Sequence, residues 1–167
     1  MRYAPAALAL SLALAVTASV AASAERQPDP RAAALVAEGK GHLAAGQSQA
    51  AVDSFEAALA VDPSYTTVYL ELGEAARAQG LQGKAIHYYR EALEREPKNL
   101  AAISGEGEAM LEKGAVEKAK RNLAQLQSLC GTSCNEAQQL ALAIENHPQR
   151  PGLTAEAVAP DPVVTKN

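Results

Sequence analysis

Apolar and small residues recur at helical spacing along most of this chain, and the helical stretches come in pairs. Across residues 31–44, Leu35, Gly39 and His42 share one face, and Val36 and Leu43 fall in step beside them, which is the period of an amphipathic helix. Gly46 marks the stop, because glycine accepts the left-handed backbone that ends a helix. A second helix is expected from Ser48, with Ala51, Val52, Phe55, Ala58 and Leu59 as its apolar stripe. Asp62-Pro63 ends it, since the residue ahead of a proline is pushed out of the helical region. The same hairpin then recurs. Helices are predicted over 66–79 and 82–94, turning at Gly80 and stopping at Glu96-Pro97. A third pair runs from Asn99, a good N-cap, to 113 and over 115–129, turning at Gly114, with Gly131 standing where Pro63 and Pro97 stood.

The hairpins keep a register of 34 residues. Gly39, Gly73 and Gly107 form one series and Gly46, Gly80 and Gly114 another, so six of the eleven glycines obey the period. Such a register marks an array in which each unit buries its apolar face only against its neighbours. The inner series is the more informative, because glycine inside a helix costs about 1 kcal/mol against alanine. Close packing of the paired helix over each of these glycines would offset that cost. After the third pair, Ser133-x-x-Glu136 has the form of a capping box, and Ala137, Leu140, Ala141 and Ile144 make one apolar stripe. A single helix over 132–147 is therefore expected to close the open end of the array. From Pro148 onward four prolines and few large apolar residues predict a disordered tail, 148–167.

With these residues in place, the chain resembles the tetratricopeptide repeat (TPR) family, whose 34-residue unit carries W-x-x-L-G-x-x-Y, A-x-x-x-F and P. Tyr69-x-x-Leu72-Gly73-x-x-Ala76, Ala85-x-x-x-Tyr89 and Pro97 follow that pattern, with Tyr for Trp and Ala for the first Tyr. The first unit has Leu35, Gly39, His42, Ala51, Phe55 and Pro63; the third has Ile103, Gly107, Met110, Ala119 and Leu123 and no proline. The resemblance implies an all-α solenoid of three helical hairpins, at 32–65, 66–99 and 100–131, followed by the closing helix. It also implies a concave surface lined by the first helix of each unit. On a helical wheel that face carries Val36, Lys40 and Leu43, then Thr67, Leu70, Glu74 and Arg77, then Ser104, Glu108 and Leu111. Family members that grip chaperone C-termini place Lys, Asn and Arg there to hold a carboxylate, whereas this chain offers mostly Ala, Val, Ser and Glu. A segment with apolar side chains flanked by basic groups suits the lining better, with Leu43 and Leu70 as anchors and Glu74 and Glu108 as charge partners.

Composition adds a location. Arg2, an Ala/Leu/Val run from Ala6 to Val20 and then Ala22-Ser23-Ala24 have the order of a secretory leader, 1–24, cleaved after Ala24. The apolar run is shorter than the ~20 residues a bilayer span needs. Residues 25–31 read as a linker. The leader looks bacterial, so the expected destination is the periplasm or the outside, with no membrane span after cleavage. The formal charge is −4; without Arg2 it is −5, from 14 basic and 19 acidic residues, and so mild an acidity gives no reason to expect nucleic acid.

In an exported chain Cys130 and Cys134 are expected to form a disulfide. A redox or metal-handling pair is the alternative, because a thiol at a helix N-terminus tends to be acidified, although the spacing is not C-x-x-C. His42, His87 and His147 lie far apart without metal-ligand spacing. Gly105-x-Gly107 and Gly80-x-x-Gly83-Lys84 are not phosphate loops, and no local signature links a catalytic triad. Lys113, Lys118, Lys120 and Arg121 form a basic run interspersed with Glu112 and Glu117, the pattern of a solvated helix face. The expectation is therefore a non-enzymatic adaptor without cofactor or metal, presenting its groove to a protein or peptide of the cell envelope. A structural subunit of an envelope complex is a further reading, and nothing in the pattern sets an oligomeric state.

Overall fold

The computed structural model describes residues 27–147; the leader expected at 1–24 and the tail expected at 148–167 lie outside the described residues. Seven helices follow in order: α1 (Pro30–Ala44), α2 (Ser48–Val61), α3 (Thr67–Ala78), α4 (Gln82–Arg95), α5 (Leu100–Glu112), α6 (Val116–Cys130) and α7 (Asn135–Asn146). Among the described residues there is no strand. Helix α1 starts inside the stretch read as linker, because Pro30 takes the first helical position, where its missing N–H costs nothing, and Asp29 Oδ1 accepts the Arg31 N–H at 2.8 Å. Asn99 caps α5 as expected, accepting the Ala102 N–H at 3.0 Å.

The three tight turns are copies of one another. Gly46, Gly80 and Gly114 have φ of 74°, 73° and 87°. The residue after each donates its N–H five residues back, Gln47 to His42, Leu81 to Ala76 and Ala115 to Met110, at 2.8–2.9 Å. This left-handed closure satisfies carbonyls that the helix end would otherwise leave bare.

Each hairpin packs antiparallel, and successive hairpins stack α2 on α3 and α4 on α5; α7 lies against both α5 and α6. It thus stands where the first helix of a fourth hairpin would stand. Its start differs from expectation: the N-cap is Cys134 and no side chain caps it. Ser133 lies one residue too early, so the expected capping box with Glu136 does not form. Cys130 and Cys134 stand with sulfurs at disulfide distance and Cα atoms 5.9 Å apart, between the end of α6 and the start of α7. For so short a loop such a bond is worth about 2 kcal/mol on chain-entropy reasoning.

The inner glycines are covered by aromatic rings. A Cβ on Gly39 would strike the Phe55 ring, and one on Gly73 would lie 2.7 Å from the Tyr89 ring, so the paired helix does pack over the glycine in the first two units. The third unit departs from that scheme. There the Cβ would meet Leu140 of α7 at 2.6 Å and Asn122 of α6 at 3.2 Å, since Leu123 is not bulky enough to fill the aromatic place and α7 supplies the missing volume. Tyr89 also presses against Gly105, which wedges its ring between α3 and α5. Phe55 is fully buried and Tyr89 nearly so, and burying such a side chain contributes about 2–3 kcal/mol, more than the glycine costs.

Candidate functional site

A groove of about 390 Å³ runs across α3, α5 and α7. Leu70 and Ala101 give it apolar ground, and Tyr89 and Gly105 form its base where the ring wedges between helices. Glu71, Glu74 and Arg77 enter from α3, Ser104 and Glu108 from α5, and Asn135, Glu136 and Gln139 from α7.

Its electrostatics centre on Arg77. The guanidinium lies 3.1 Å from Glu74 and 2.7 Å from Glu108, and its Nε donates to Glu112 at 3.1 Å. Burial opposes the charge, but the hydrogen bond donated to Glu112 and the charges of Glu108 and Glu74 outweigh it, so the proton is held more firmly than on an ordinary guanidinium. The Tyr89 hydroxyl donates to Glu74 at 3.3 Å. Burial, then the neighbouring Glu74 carboxylate, pushes this phenol well above its usual range. Glu71 is tied across to Lys40 of α1 at 2.7 Å. Counting Arg77 against Glu71, Glu74, Glu108 and Glu136, the lining carries one cation and four carboxylates, a net −3.

Of the residues expected on the concave face, Leu70, Glu74, Arg77, Ser104 and Glu108 come together in this groove. Ser104 is largely covered, its hydroxyl donating to the Glu136 carbonyl at 3.3 Å and to Glu108 at 3.4 Å. Val36 sits in the core with Val68, Leu72 and Ala75, because α1 is covered by α3 as well as by α2. Leu111 is likewise core, packed with Met110 and Ala119 beneath Ala143 and Ile144 of α7. Leu43 packs on the first cluster, and Thr67 faces a separate recess beside Asp62 and Glu96. Sequence reasoning missed Tyr89 and the three polar residues of α7. Their signal was present: Asn135, Glu136 and Gln139 lie off the stripe made by Ala137, Leu140, Ala141 and Ile144.

Among the described residues no group of three or more His, Cys, Asp or Glu is placed to hold a metal ion, and no helix is long and apolar enough to cross a membrane. His42 is partly buried, its Nδ1 2.8 Å from Gln47 Oε1 across the first turn.

Residues 36–99 match the model of the tetratricopeptide repeat family. No curated protein matches the chain. Among solved structures the fold is similar to the Sgt2 TPR domain from Aspergillus fumigatus, with TM-score 0.64 and 22% identity over 71% of this chain and 79% of that one. It is similar also to the first TPR of Spaghetti (RPAP3) bound to the HSP90 peptide SRMEEVD, with TM-score 0.62 and 19% identity over 69% and 90%. A third is the type III secretion chaperone SycD of Yersinia enterocolitica in complex with a peptide of the translocator YopD, with TM-score 0.59 and 23% identity over 68% and 86%. At these identities the likeness is one of fold. Joined to the repeat match over residues 36–99, it shows an all-α solenoid of TPR-like fold.

Proposed function

We propose that the groove across α3, α5 and α7 binds an extended segment of a protein partner, and that the chain acts as a non-enzymatic adaptor. The segment carries apolar side chains that seat on Leu70 and Ala101, with Lys or Arg on either side. The observation behind this reading is the surplus of carboxylates, since the cation of the lining, Arg77, is already held by acids. Two structurally similar proteins hold peptides, from HSP90 and from YopD. The HSP90 peptide, with its glutamates and terminal aspartate, would meet like charge here, which costs affinity and rejects the wrong partner. A basic, apolar-centred segment meets complementary charge.

The partner is placed in the cell envelope, reached after cleavage behind Ala24. The ground for this is the leader pattern of residues 1–24, and the presence of two cysteines four residues apart fits an oxidising compartment. Fractionation of the native host with N-terminal sequencing tests the location: a mature start at Glu25 in the periplasmic or secreted fraction is expected, and an intact Met1 in the cytoplasm overturns it.

For the groove, the probe is a fluorescein-labelled peptide with two leucines flanked by lysines, read by anisotropy. Leu70→Arg removes the apolar seat and opposes the flanks, so binding should weaken at least about tenfold, a loss of about 1.4 kcal/mol, with the melting temperature close to wild type. Undiminished binding by Leu70→Arg rejects the groove as the site.

A further inference from the structure

A second cleft, of about 290 Å³, opens where α4 meets the turn between α5 and α6. It shares no lining residue with the groove. Tyr89 and Arg90 are neighbours on α4, and successive helical residues point about 100° apart, so the first faces the groove and the second this cleft. The floor is apolar, from Ile86, Met110 and Ala115. The rim is cationic, from Arg90, Lys113 and Lys118. Two members of the basic run, both exposed as expected, thus stand beside an arginine from another hairpin. The other two differ: Lys120 pairs with Glu117 at 2.9 Å, and Arg121 lies outside the lining.

The charge here is the reverse of the groove's. Among the described residues Lys113 and Lys118 have no ion pair. Arg90 has one, and it leaves the outer edge of the guanidinium open: Nε donates to Glu106 at 2.7 Å, while Asn122 occupies the other Glu106 oxygen at 3.0 Å. Glu106 is itself buried, so it holds Arg90 in place and offers no further acceptor to a ligand. With Glu106 counted against the three cations, the cleft carries +2.

We propose that this cleft is a second docking surface, for an acidic segment of a protein partner centred on an apolar side chain. The apolar side chain rests on Ile86 and Ala115, and one carboxylate takes the outer fork of Arg90, whose two parallel N–H groups fit a carboxylate bidentately. A second carboxylate lies between Lys113 and Lys118. Because Glu106 and Asn122 already fix the position of Arg90, little side-chain freedom is lost on binding. A bare anion would use the rim and leave the floor empty, whereas an acidic, apolar-centred segment uses both. The adaptor would then join two partners of opposite charge through different faces, and this surface stands whether or not the groove binds a peptide.

The test uses the full chain and a fluorescein-labelled peptide, acetyl-Gly-Glu-Asp-Leu-Glu-Leu-Asp-Gly-amide, beside its isostere with Gln and Asn for the acids, at low and at ~0.5 M salt, where surface attraction is screened. Binding of the acidic peptide should fall about tenfold in Lys113→Glu/Lys118→Glu. It should hold within about twofold in Lys84→Glu/Lys98→Glu, which makes the same change of charge elsewhere, and in Leu70→Arg. The isostere should bind at least about tenfold more weakly. Equal loss in the two lysine pairs, equal binding of the isostere, or binding to anionic phosphatidylglycerol vesicles without binding to the peptide each overturns the proposal. Loss in Leu70→Arg with none in Lys113→Glu/Lys118→Glu assigns the peptide to the groove and overturns it as well.

Discussion

The groove and the cleft are built from the same hairpins and treat charge in opposite ways. In the groove the cation Arg77 is already held by Glu74, Glu108 and Glu112, and carboxylates remain in surplus. In the cleft the carboxylate of Glu106 is buried and already paired, and among the described residues Lys113 and Lys118 have no ion pair. A repeat fixes where backbone and core side chains go and leaves the exposed positions of each helix to diverge. Two neighbouring residues, Tyr89 and Arg90, therefore serve surfaces of contrary sign.

The change with the largest expected effect removes both surfaces at once. Gly73→Leu drives a side chain into the Tyr89 ring, where even a Cβ would lie 2.7 Å away, and α4 carries both Tyr89 and Arg90. A loss of about 3 kcal/mol or more is expected, seen as a melting temperature lowered by ~10 °C or more, with both peptides released. An unchanged melting temperature removes the ring-over-glycine contact as the basis of the hairpin.

A smaller change sharpens the contrast between the faces. Arg77→Gln leaves Glu74, Glu108 and Glu112 facing one another without their cation. Glu74 is half-exposed, its side chain 53% accessible, so solvent screening limits the cost to about 1–2 kcal/mol. Calorimetry should show the lower melting point, while the lysine-flanked peptide binds the more negative groove several-fold more tightly. Weaker binding of that peptide would mean that Arg77 itself contacts the ligand.

The smallest effect is a dependence on alkaline pH. The folded chain favours the neutral Tyr89 phenol, since burial and Glu74 raise its pKa. That contribution is whole below the ordinary phenol pKa of about 10 and is lost as pH rises above it toward the raised folded value. Between pH 10 and 12 the wild type should therefore lose more stability than Tyr89→Phe. Parallel losses would place the alkaline sensitivity elsewhere.

The fold was legible because its determinants are local and repeated. Gly46, Gly80 and Gly114 show their turn chemistry in the sequence, and the pairs Gly39–Phe55 and Gly73–Tyr89 announce themselves through the 34-residue register. The capping box of Ser133 and Glu136 did not form because α7 starts one residue later, with Cys134 as its N-cap, a one-residue boundary that a sequence pattern does not fix. The groove was only half legible, for a reason of packing. A helical wheel for one helix credits it with one covered side, yet α1 is covered by both α2 and α3 and α5 by α4, α6 and α7. Val36 and Leu111, open on the wheel, are therefore core, and the accessible strip is narrower and displaced toward α7. The polar residues of α7 escaped notice because that helix looked like a cover, when it also stands as a fourth first-helix and forms a wall.

The most direct measurement for the binding groove is the anisotropy titration of the lysine-flanked leucine peptide against three proteins: wild type, Leu70→Arg and Lys113→Glu/Lys118→Glu. If the groove is the site, Leu70→Arg alone weakens binding, by about tenfold or more, while the lysine pair matches or slightly exceeds wild type. Binding that survives Leu70→Arg, or that falls equally in both variants, contradicts a groove built on Leu70 and ringed by the carboxylates around Arg77.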